Sequence, residues 1–239
     1  MVRKRPFAVF DIDGTLIRWQ LYHAIADELV KLGHISPNDF AAIKEARMVW
    51  KRREHSESFR EYEEKLVGLY SRALVNLSFD VFTKAAGAVF DEYKDQAYTY
   101  TRDLIKELKA KGYLLFAISG SQTEIVEKIA SHYGFDDFVG TVFAHEGDKF
   151  TGQITAPLGK KHEVLQNMIN KYNAETKGSV GVGDSTGDIS MLELVEKPVA
   201  FNPEQKLFNH AKKMGWTIIL ERKNMVYELE EKNGRYYLV

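Results

Sequence analysis

The chain contains no cysteine among its 239 residues. Disulfide bonds, thiolate nucleophiles and thiolate metal sites are therefore excluded. An excess of charge of either sign is also missing, because 33 basic and 34 acidic side chains give a net charge of −1. This balance offers no support for binding to nucleic acids or to anionic membranes, so we expect neither as a partner.

Long apolar runs are absent as well. No stretch approaches the ~20 apolar residues that a membrane-spanning helix requires. The N-terminus is basic, as in a signal peptide, but the apolar run that follows, Phe7–Phe10, is too short for the hydrophobic part of one. Hydrophobic residues at 44% and charged residues at 28% are typical of a soluble globular protein. We expect a cytoplasmic enzyme.

Two carboxylates, Asp11 and Asp13, follow the run Phe7–Phe10, and a glycine comes directly after them. A short apolar run of this kind indicates a buried parallel strand, and ligands of open α/β sheets bind at the carboxyl ends of such strands. Carboxylates this close resist joint ionisation without a nearby cation, which favours metal-assisted chemistry. A simple turn is the alternative. An EF-hand calcium loop is disfavoured, because its fifth position needs an acidic residue or asparagine and its twelfth needs glutamate, whereas this chain has Thr15 and Tyr22 there.

Residues 19–97 contain no convincing strand and have helical spacing, with Ser36-Pro37 as a good helix start and a third helix expected near 57–76. We expect a four-helix, all-helical domain here that acts as a lid over the site, or alternatively as a packing extension. Residues 1–18 and 98–239 alternate strands and helices. This alternation predicts an α/β core with a Rossmann-like, doubly wound parallel sheet.

Two β-hairpins are also predicted, and both are assigned to the core domain. Thr141–Thr155 has Gly147-Asp148 as its turn signal, and the C-terminal segment has Lys232-Asn233-Gly234 between two apolar runs.

The predicted strand Tyr113–Ile118 ends in Ser119, Gly120 and Ser121. A small hydroxyl residue, a glycine and the backbone N–H groups of a helix start form a natural phosphate cradle. The same residues also serve simply as a turn and an N-cap, so both interpretations stay open.

A second pair of carboxylates, Asp184 and Asp188, follows the predicted strand Ser179–Val182. Mg²⁺ prefers oxygen ligands and usually keeps several waters. The side chains of Asp11 and Asp184, with the backbone carbonyl of Asp13, would satisfy this preference. Asp188 also suits a helix N-cap, and the two roles are compatible.

Lys160 and Lys161 lie at the start of a helix whose buried stripe includes Leu165 and Met168. At ~100° per residue, Lys161 projects near the centre of that stripe, whereas Lys160 falls more than about 100° away. A lysine at the end of a buried face is suited to neutralising phosphate charge. We therefore prefer Lys161 to Lys160 as the site lysine.

These motifs together resemble the haloacid dehalogenase-like (HAD) superfamily over about residues 6–220. The helical insertion is similar in kind to the C1 cap of that superfamily. The stretches Ile118–Ser121 and Val182–Leu192 look most like its phosphoserine-phosphatase-like branch. The residues that carry the resemblance are Asp11-x-Asp13-Gly14-Thr15, Ser119, Lys161 and Gly183-Asp184-x-x-x-Asp188.

The resemblance implies a Mg²⁺-dependent phosphatase that acts on a small phosphate ester through an aspartyl-phosphate intermediate. A phosphotransferase or mutase shares the same motifs, and a non-catalytic phosphoryl-binding module is a third alternative. We expect a monomer or a homodimer. The site residues that the resemblance implies are the nucleophile Asp11, the acid and base Asp13, the metal ligands Asp11, Asp13 and Asp184, the phosphate-binding Ser119, Gly120 and Lys161, and Asp188, which would orient Lys161 or a metal-bound water.

The sequence departs from phosphoserine phosphatases where those enzymes recognise their substrate. They carry a glutamate for the substrate ammonium soon after the first motif, and the corresponding residue here is Gln20. Loss of a charge partner lowers affinity, so we expect a different phosphorylated metabolite, with phosphoserine as the alternative. The expected cap arginine is replaced by Glu63, Glu64, Lys65 and Leu66, with Arg60 nearby. Candidate pocket residues are Trp19, Gln20, Tyr22, His23 and the basic run Lys51-Arg52-Arg53-Glu54-His55, which is otherwise a solvated helix face.

Overall fold

The computed structural model describes residues 4–55, 57–75 and 77–238, and predicted bounds at residues 1, 76 and 239 lie outside them. The strands are β1 (Pro6–Phe10), β2 (Leu114–Gln122), β3 (Asp137–Glu146), β4 (Lys149–Thr155), β5 (Glu175–Gly183), β6 (Lys197–Phe201), β7 (Thr217–Arg222), β8 (Met225–Lys232) and β9 (Arg235–Leu238). The helices are α1 (Leu21–Lys31), α2 (Pro37–Lys51), α3 (Ser58–Leu74), α4 (Phe79–Tyr93), α5 (Thr99–Ala110), α6 (Thr123–Tyr133), α7 (Lys161–Tyr172), α8 (Ile189–Leu192) and α9 (Gln205–Met214). One 3₁₀ turn, Thr186–Asp188, precedes α8.

The chain divides into two compact units. The first comprises residues 1–20, 92–141 and 156–239, and the second comprises residues 21–91 and 142–155. In the part of the chain that the structure describes, no helix combines the length and apolar character needed to cross a bilayer.

The first unit contains a mostly parallel sheet with β1 at its centre. β1 pairs in parallel with β2 on one side and with β5 on the other, and β3, β6 and β7 extend the sheet outward. β8 and β9 continue it as antiparallel strands. The predicted doubly wound α/β core is therefore confirmed.

Apolar side chains explain why β1 and β2 lie in the interior of this unit. Phe7 and Phe116, on neighbouring strands, stack with ring centroids 5.7 Å apart. Leu165 and Met168 of α7 join the same core, which confirms the buried stripe that their spacing indicates. The first turn of α7 is thereby held against the carboxyl ends of the central strands.

The order of the strands reverses between β1 and β5. From β1 the chain builds outward through β2 and β3, and it later returns to the other side of β1 with β5, β6 and β7. Such a switch point opens a crevice at the carboxyl ends of the two strands, where ligands of α/β sheets bind. Asp11 follows β1 directly and Asp184 follows β5 directly.

The second unit contains α1 to α3, most of α4, and a hairpin. The last residues of β3 pair antiparallel with β4. Asp148, in the hairpin turn, joins this hairpin to α4, because its carbonyl accepts the N–H of Phe79 at 2.9 Å and its Oδ1 accepts the N–H of Asp80 at 2.9 Å. Residues 142–155 therefore group with the helices, whereas the sequence pattern predicts them in the core domain.

Candidate active site

The ammonium group of Lys161 is buried between two carboxylates. Its Nζ donates to Asp11 Oδ1 at 2.8 Å, to Asp188 Oδ1 at 2.6 Å and to the Ile118 carbonyl at 3.0 Å. These three bonds use every hydrogen of the ammonium. Burial alone would lower the pKa of Lys161, but the two carboxylates together raise it above its usual value, so the side chain is charged. Lys160, by contrast, is exposed.

Asp188 contacts both Lys161 and the loop after β5. Its Oδ2 accepts the N–H of Asp184 at 3.2 Å, and both the N–H and the hydroxyl of Ser185 at 2.9 Å. A Cβ added at Gly183 would lie 2.5 Å from the Cβ of Asp188, so only glycine permits this close approach. Because both oxygens of Asp188 are occupied, we interpret it as an orienting residue rather than a metal ligand.

Asp11 and Asp184 are the carboxylates best placed to hold a cation. Ligand oxygens of these two residues and of Asp188 lie within 4.8 Å of one another. Burial, with the neighbouring charges of Asp11 and Asp188, raises the pKa of Asp184 well above its usual value. Burial also raises the pKa of Asp11 to about 7, although Lys161 pulls it down. The clustered carboxylates carry more negative charge than the ammonium of Lys161 balances. Their oxygen atoms are therefore suitable ligands for a hard divalent cation such as Mg²⁺.

Gly14 brings the turn after β1 against Asp184. Its φ of +81° lies in the left-handed region, and an added Cβ would lie 2.3 Å from Asp184 Oδ2 and 3.4 Å from Gln20 Nε2. The amide of Gln20 therefore borders the same space as the Asp184 carboxylate. Thr15 Oγ1 donates to Asp184 Oδ1 at 3.4 Å, a long bond that leaves the carboxylate accessible to other partners.

Asp13 is held by two hydroxyl groups from the end of β2. Ser119 Oγ donates to its Oδ2 at 2.6 Å, and Ser121 Oγ donates to its Oδ1 at 3.1 Å. The sequence pattern predicts Ser121 as part of the phosphate cradle and does not indicate its contact with Asp13. These serines lie inside β2, which continues to Gln122 rather than ending at Ile118, with an irregular pairing to β3 between those two residues.

Tyr22 and His23, two candidate pocket residues, lie in an aromatic cluster of the second unit. The His23 ring is 4.8 Å from that of Tyr62, and the Tyr22 ring is 4.6 Å from that of Tyr70. Burial, followed by the charge of Arg47, lowers the pKa of His23 to about 3, so this histidine is neutral. It serves the packing of this unit.

Arg47 is a half-buried arginine of the second unit that the sequence motifs do not indicate. Its guanidinium donates to both carboxylate oxygens of Asp27 at 2.9 Å and to the hydroxyl of Tyr62 at 2.9 Å. The residues predicted for the place of the cap arginine, or as a basic run that meets the substrate, have other environments. The run Lys51–His55 is exposed, and Arg60 pairs with Glu57 and Glu64 on the surface of α3. Of the remaining residues considered for this role, Glu63 is half-buried, Lys65 is exposed and Leu66 is fully buried.

Comparison with known proteins identifies the family. The sequence model of the haloacid dehalogenase-like hydrolases matches residues 8–193. The chain belongs to this family. The matched range contains all four motifs, so the family predicted from them is confirmed, as is the similarity to its phosphoserine-phosphatase-like members.

Relatives of this HAD hydrolase include proteins named as phosphatases. The histidinol-phosphatase of Neisseria meningitidis serogroup C is 26% identical over an alignment of 239 positions. This alignment covers 90% of this chain and 98% of that protein. The phosphoserine phosphatase of Methanocaldococcus jannaschii is 26% identical over 205 residues, which cover 84% and 87% of the two chains. Some other relatives are longer, and the chain covers about half of their length.

Solved structures support the fold of this HAD hydrolase. A phospho-aspartyl intermediate analogue of phosphoserine phosphatase superimposes with a TM-score of 0.63 at 22% identity, covering 92% of this chain and 95% of the other. At this identity the likeness concerns the fold alone.

Proposed function

We propose that this HAD hydrolase is a Mg²⁺-dependent phosphomonoesterase that cleaves a small phosphorylated metabolite through an aspartyl-phosphate on Asp11. The observation that carries the proposal is the state of the Asp11 carboxylate. Lys161 holds its Oδ1, while nothing among the described residues donates to its Oδ2. A carboxylate anchored by one oxygen presents the other for attack on phosphorus. The names of the two relatives, histidinol-phosphatase and phosphoserine phosphatase, support the same class of reaction.

The proposed reaction has two halves. In the first, the Asp11 carboxylate attacks phosphorus, the ester P–O bond breaks, and Asp13 gives a proton to the leaving oxygen. In the second, Asp13 takes a proton from water, the water oxygen attacks phosphorus, and the bond between Asp11 and phosphorus breaks. Inorganic phosphate is released and both carboxylates return to their starting states.

Catalysis of phosphoryl transfer consists mainly of positioning and charge stabilisation. We assign phosphate binding to the Ser119 hydroxyl, the Gly120 N–H and Lys161. Lys161 must exchange one of its three present hydrogen bonds to contact phosphate. Bound by the Asp11 and Asp184 side chains and the Asp13 carbonyl, Mg²⁺ would neutralise charge on the phosphoryl group.

Hydrolysis of p-nitrophenyl phosphate tests the proposal. We expect Mg²⁺-dependent release of nitrophenol and free phosphate in equal amounts, with the activity lost in EDTA and restored by added Mg²⁺. Adding candidate alcohol acceptors tests the alternative of a phosphotransferase or mutase. Phosphate that moves to an acceptor with little free phosphate would favour that alternative, and absence of any turnover would exclude both reactions for this substrate.

We further propose that Gln20 helps to select the leaving group. Its amide borders the space beside Gly14 and Asp184, and it carries no charge to pair with a substrate ammonium. The preferred substrates therefore lack an ammonium group at this position, which disfavours phosphoserine.

A charge introduced at Gln20 tests this selection. O-phosphoserine and 3-phosphoglycerate differ only by ammonium against hydroxyl at one carbon. In Gln20→Glu we expect the ratio of their kcat/KM values to shift about tenfold toward O-phosphoserine, because a hydrogen-bonded charge partner contributes about 1.5 kcal/mol or more. Gln20→Leu is the control that removes the amide without adding charge. An unchanged ratio in Gln20→Glu would contradict the assignment, and phosphoserine as the best substrate of the unaltered enzyme would contradict the substrate preference.

A further inference from the structure

Glu204 bonds to the loop that carries Asp184, although it lies on a different element. It is the residue before α9, and its N–H donates to the backbone carbonyl of Asp184 at 2.9 Å. Its Oε1 accepts the N–H of Thr186 at 2.6 Å and also the hydroxyl of Thr186. The start of α9 and the loop after β5 are therefore tied together by three hydrogen bonds.

These bonds complete a two-sided attachment of Asp184. On one side, Asp188 Oδ2 accepts the N–H of Asp184, as described above. On the other side, the backbone N–H of Glu204 donates to the carbonyl of Asp184. The Glu204 side chain holds this arrangement in place through its bonds to Thr186, two residues after Asp184. Both backbone polar groups of Asp184 are thus engaged, while among the described residues its carboxylate accepts only the long bond from Thr15. The backbone is fixed and the carboxylate is left accessible, as a metal ligand requires.

We infer that Glu204 is a positioning residue that orients Asp184 for the divalent cation. This inference rests on the proposed Mg²⁺ site. Some residues do not bind the metal themselves but fix the orientation of a residue that does. Mutation of such residues typically lowers metal affinity by about 10–100-fold. Glu204 is exposed and lies outside the four motifs, so nothing in the motif pattern marks it for this role.

The test measures Mg²⁺ binding by calorimetry, without substrate, on the full chain. In Glu204→Ala we expect Mg²⁺ affinity to fall about tenfold or more, whereas Glu204→Gln, which keeps an acceptor oxygen for Thr186, loses about threefold or less. Glu204→Asp keeps the charge on a shorter side chain, and we expect it to resemble Glu204→Ala. Glu127→Ala removes an exposed glutamate of α6 and serves as the matched control, with unchanged affinity.

Two further measurements separate positioning from other causes. A long-range effect of the Glu204 charge would be screened by salt, whereas positioning persists between about 50 and 500 mM salt. Asp184→Asn, which removes a proposed ligand, should abolish the binding heat. The inference is overturned if Glu204→Ala binds Mg²⁺ within about twofold of the unaltered protein, or if its loss equals that of Glu204→Gln and vanishes at high salt. Absence of Mg²⁺ binding in the unaltered protein would instead overturn the metal site itself.

Discussion

Replacing Asp11 by asparagine is expected to lower kcat by at least about 10⁴-fold, the largest effect of any single substitution in this chain. An amide of nearly the same shape has no carboxylate oxygen to attack phosphorus, so the first half of the reaction stops. Steady-state phosphate release by the purified variant measures the loss. Asp39→Asn, at an exposed position in α2, is the control and should retain normal activity.

A covalent label makes the Asp11 prediction specific. Acid quenching of the unaltered enzyme during turnover of ³²P-labelled substrate should leave label on the protein, and Asp11→Asn should carry none. Activity above about 1% of normal in Asp11→Asn, or an equal label on both proteins, would mean that Asp11 is not the nucleophile.

Asp13→Asn is expected to reduce turnover of alkyl phosphates by ~10²–10⁴-fold, the usual contribution of general acid–base catalysis. Mg²⁺ and phosphate binding should be nearly unchanged, because the backbone carbonyl of residue 13 is retained. One of the hydroxyls of Ser119 and Ser121 keeps an acceptor oxygen, and the other can rotate to accept a hydrogen from the new amide. The measurement is kcat on a series of esters, with Mg²⁺ affinity determined alongside.

The choice of leaving group distinguishes a proton donor from a residue that only supports the structure. p-Nitrophenolate leaves without needing a proton, so in Asp13→Asn its first release should stay fast while hydrolysis of the phosphoenzyme slows. A burst of nitrophenol followed by slow turnover is the expected signature. Near-normal turnover of both ester types by the purified variant would remove the proton-transfer role.

The four motifs were predictable because each is local in sequence. An apolar run followed by Asp11 and Asp13 indicates a strand end without knowledge of the rest of the fold. Helical periodicity likewise favours Lys161, and the structure places its ammonium between Asp11 and Asp188 while Lys160 is exposed. The local sequence pattern predicts the position of these residues in the fold, because the carboxyl ends of parallel strands lie at one edge of the sheet.

The missed contacts are those made between distant elements. Asp148 bonds to the first residues of α4, 68 positions earlier, and this contact joins its hairpin to the helices of the second unit. Glu204 bonds to Thr186 across 18 positions between two elements. Neither residue is part of a motif, and an exposed acidic residue has the same appearance in sequence whether or not it has a distant partner.

At the end of β2 the structure differs from the sequence-based prediction in the position of a strand boundary. Sequence placed the boundary at Ile118, because glycine and serine are typical of turns. The strand instead continues to Gln122 with an irregular pairing to β3, and the hydroxyls of Ser119 and Ser121, two residues apart, both donate to Asp13. Composition alone does not distinguish a turn from a distorted strand.

The central place of β1 has a consequence for how the protein is made in the cell. Lys161 follows Asp11 by 150 residues, so a ribosome adding about 5–20 residues per second needs roughly 8–30 s to deliver it. Throughout that interval the first strand has been synthesised but its partner β5 has not, and one apolar edge stays open to wrong pairings. We therefore expect the nascent chain to be prone to misfolding until β5 is made, and a polypeptide truncated before β5 to lack the Asp184 side of the site.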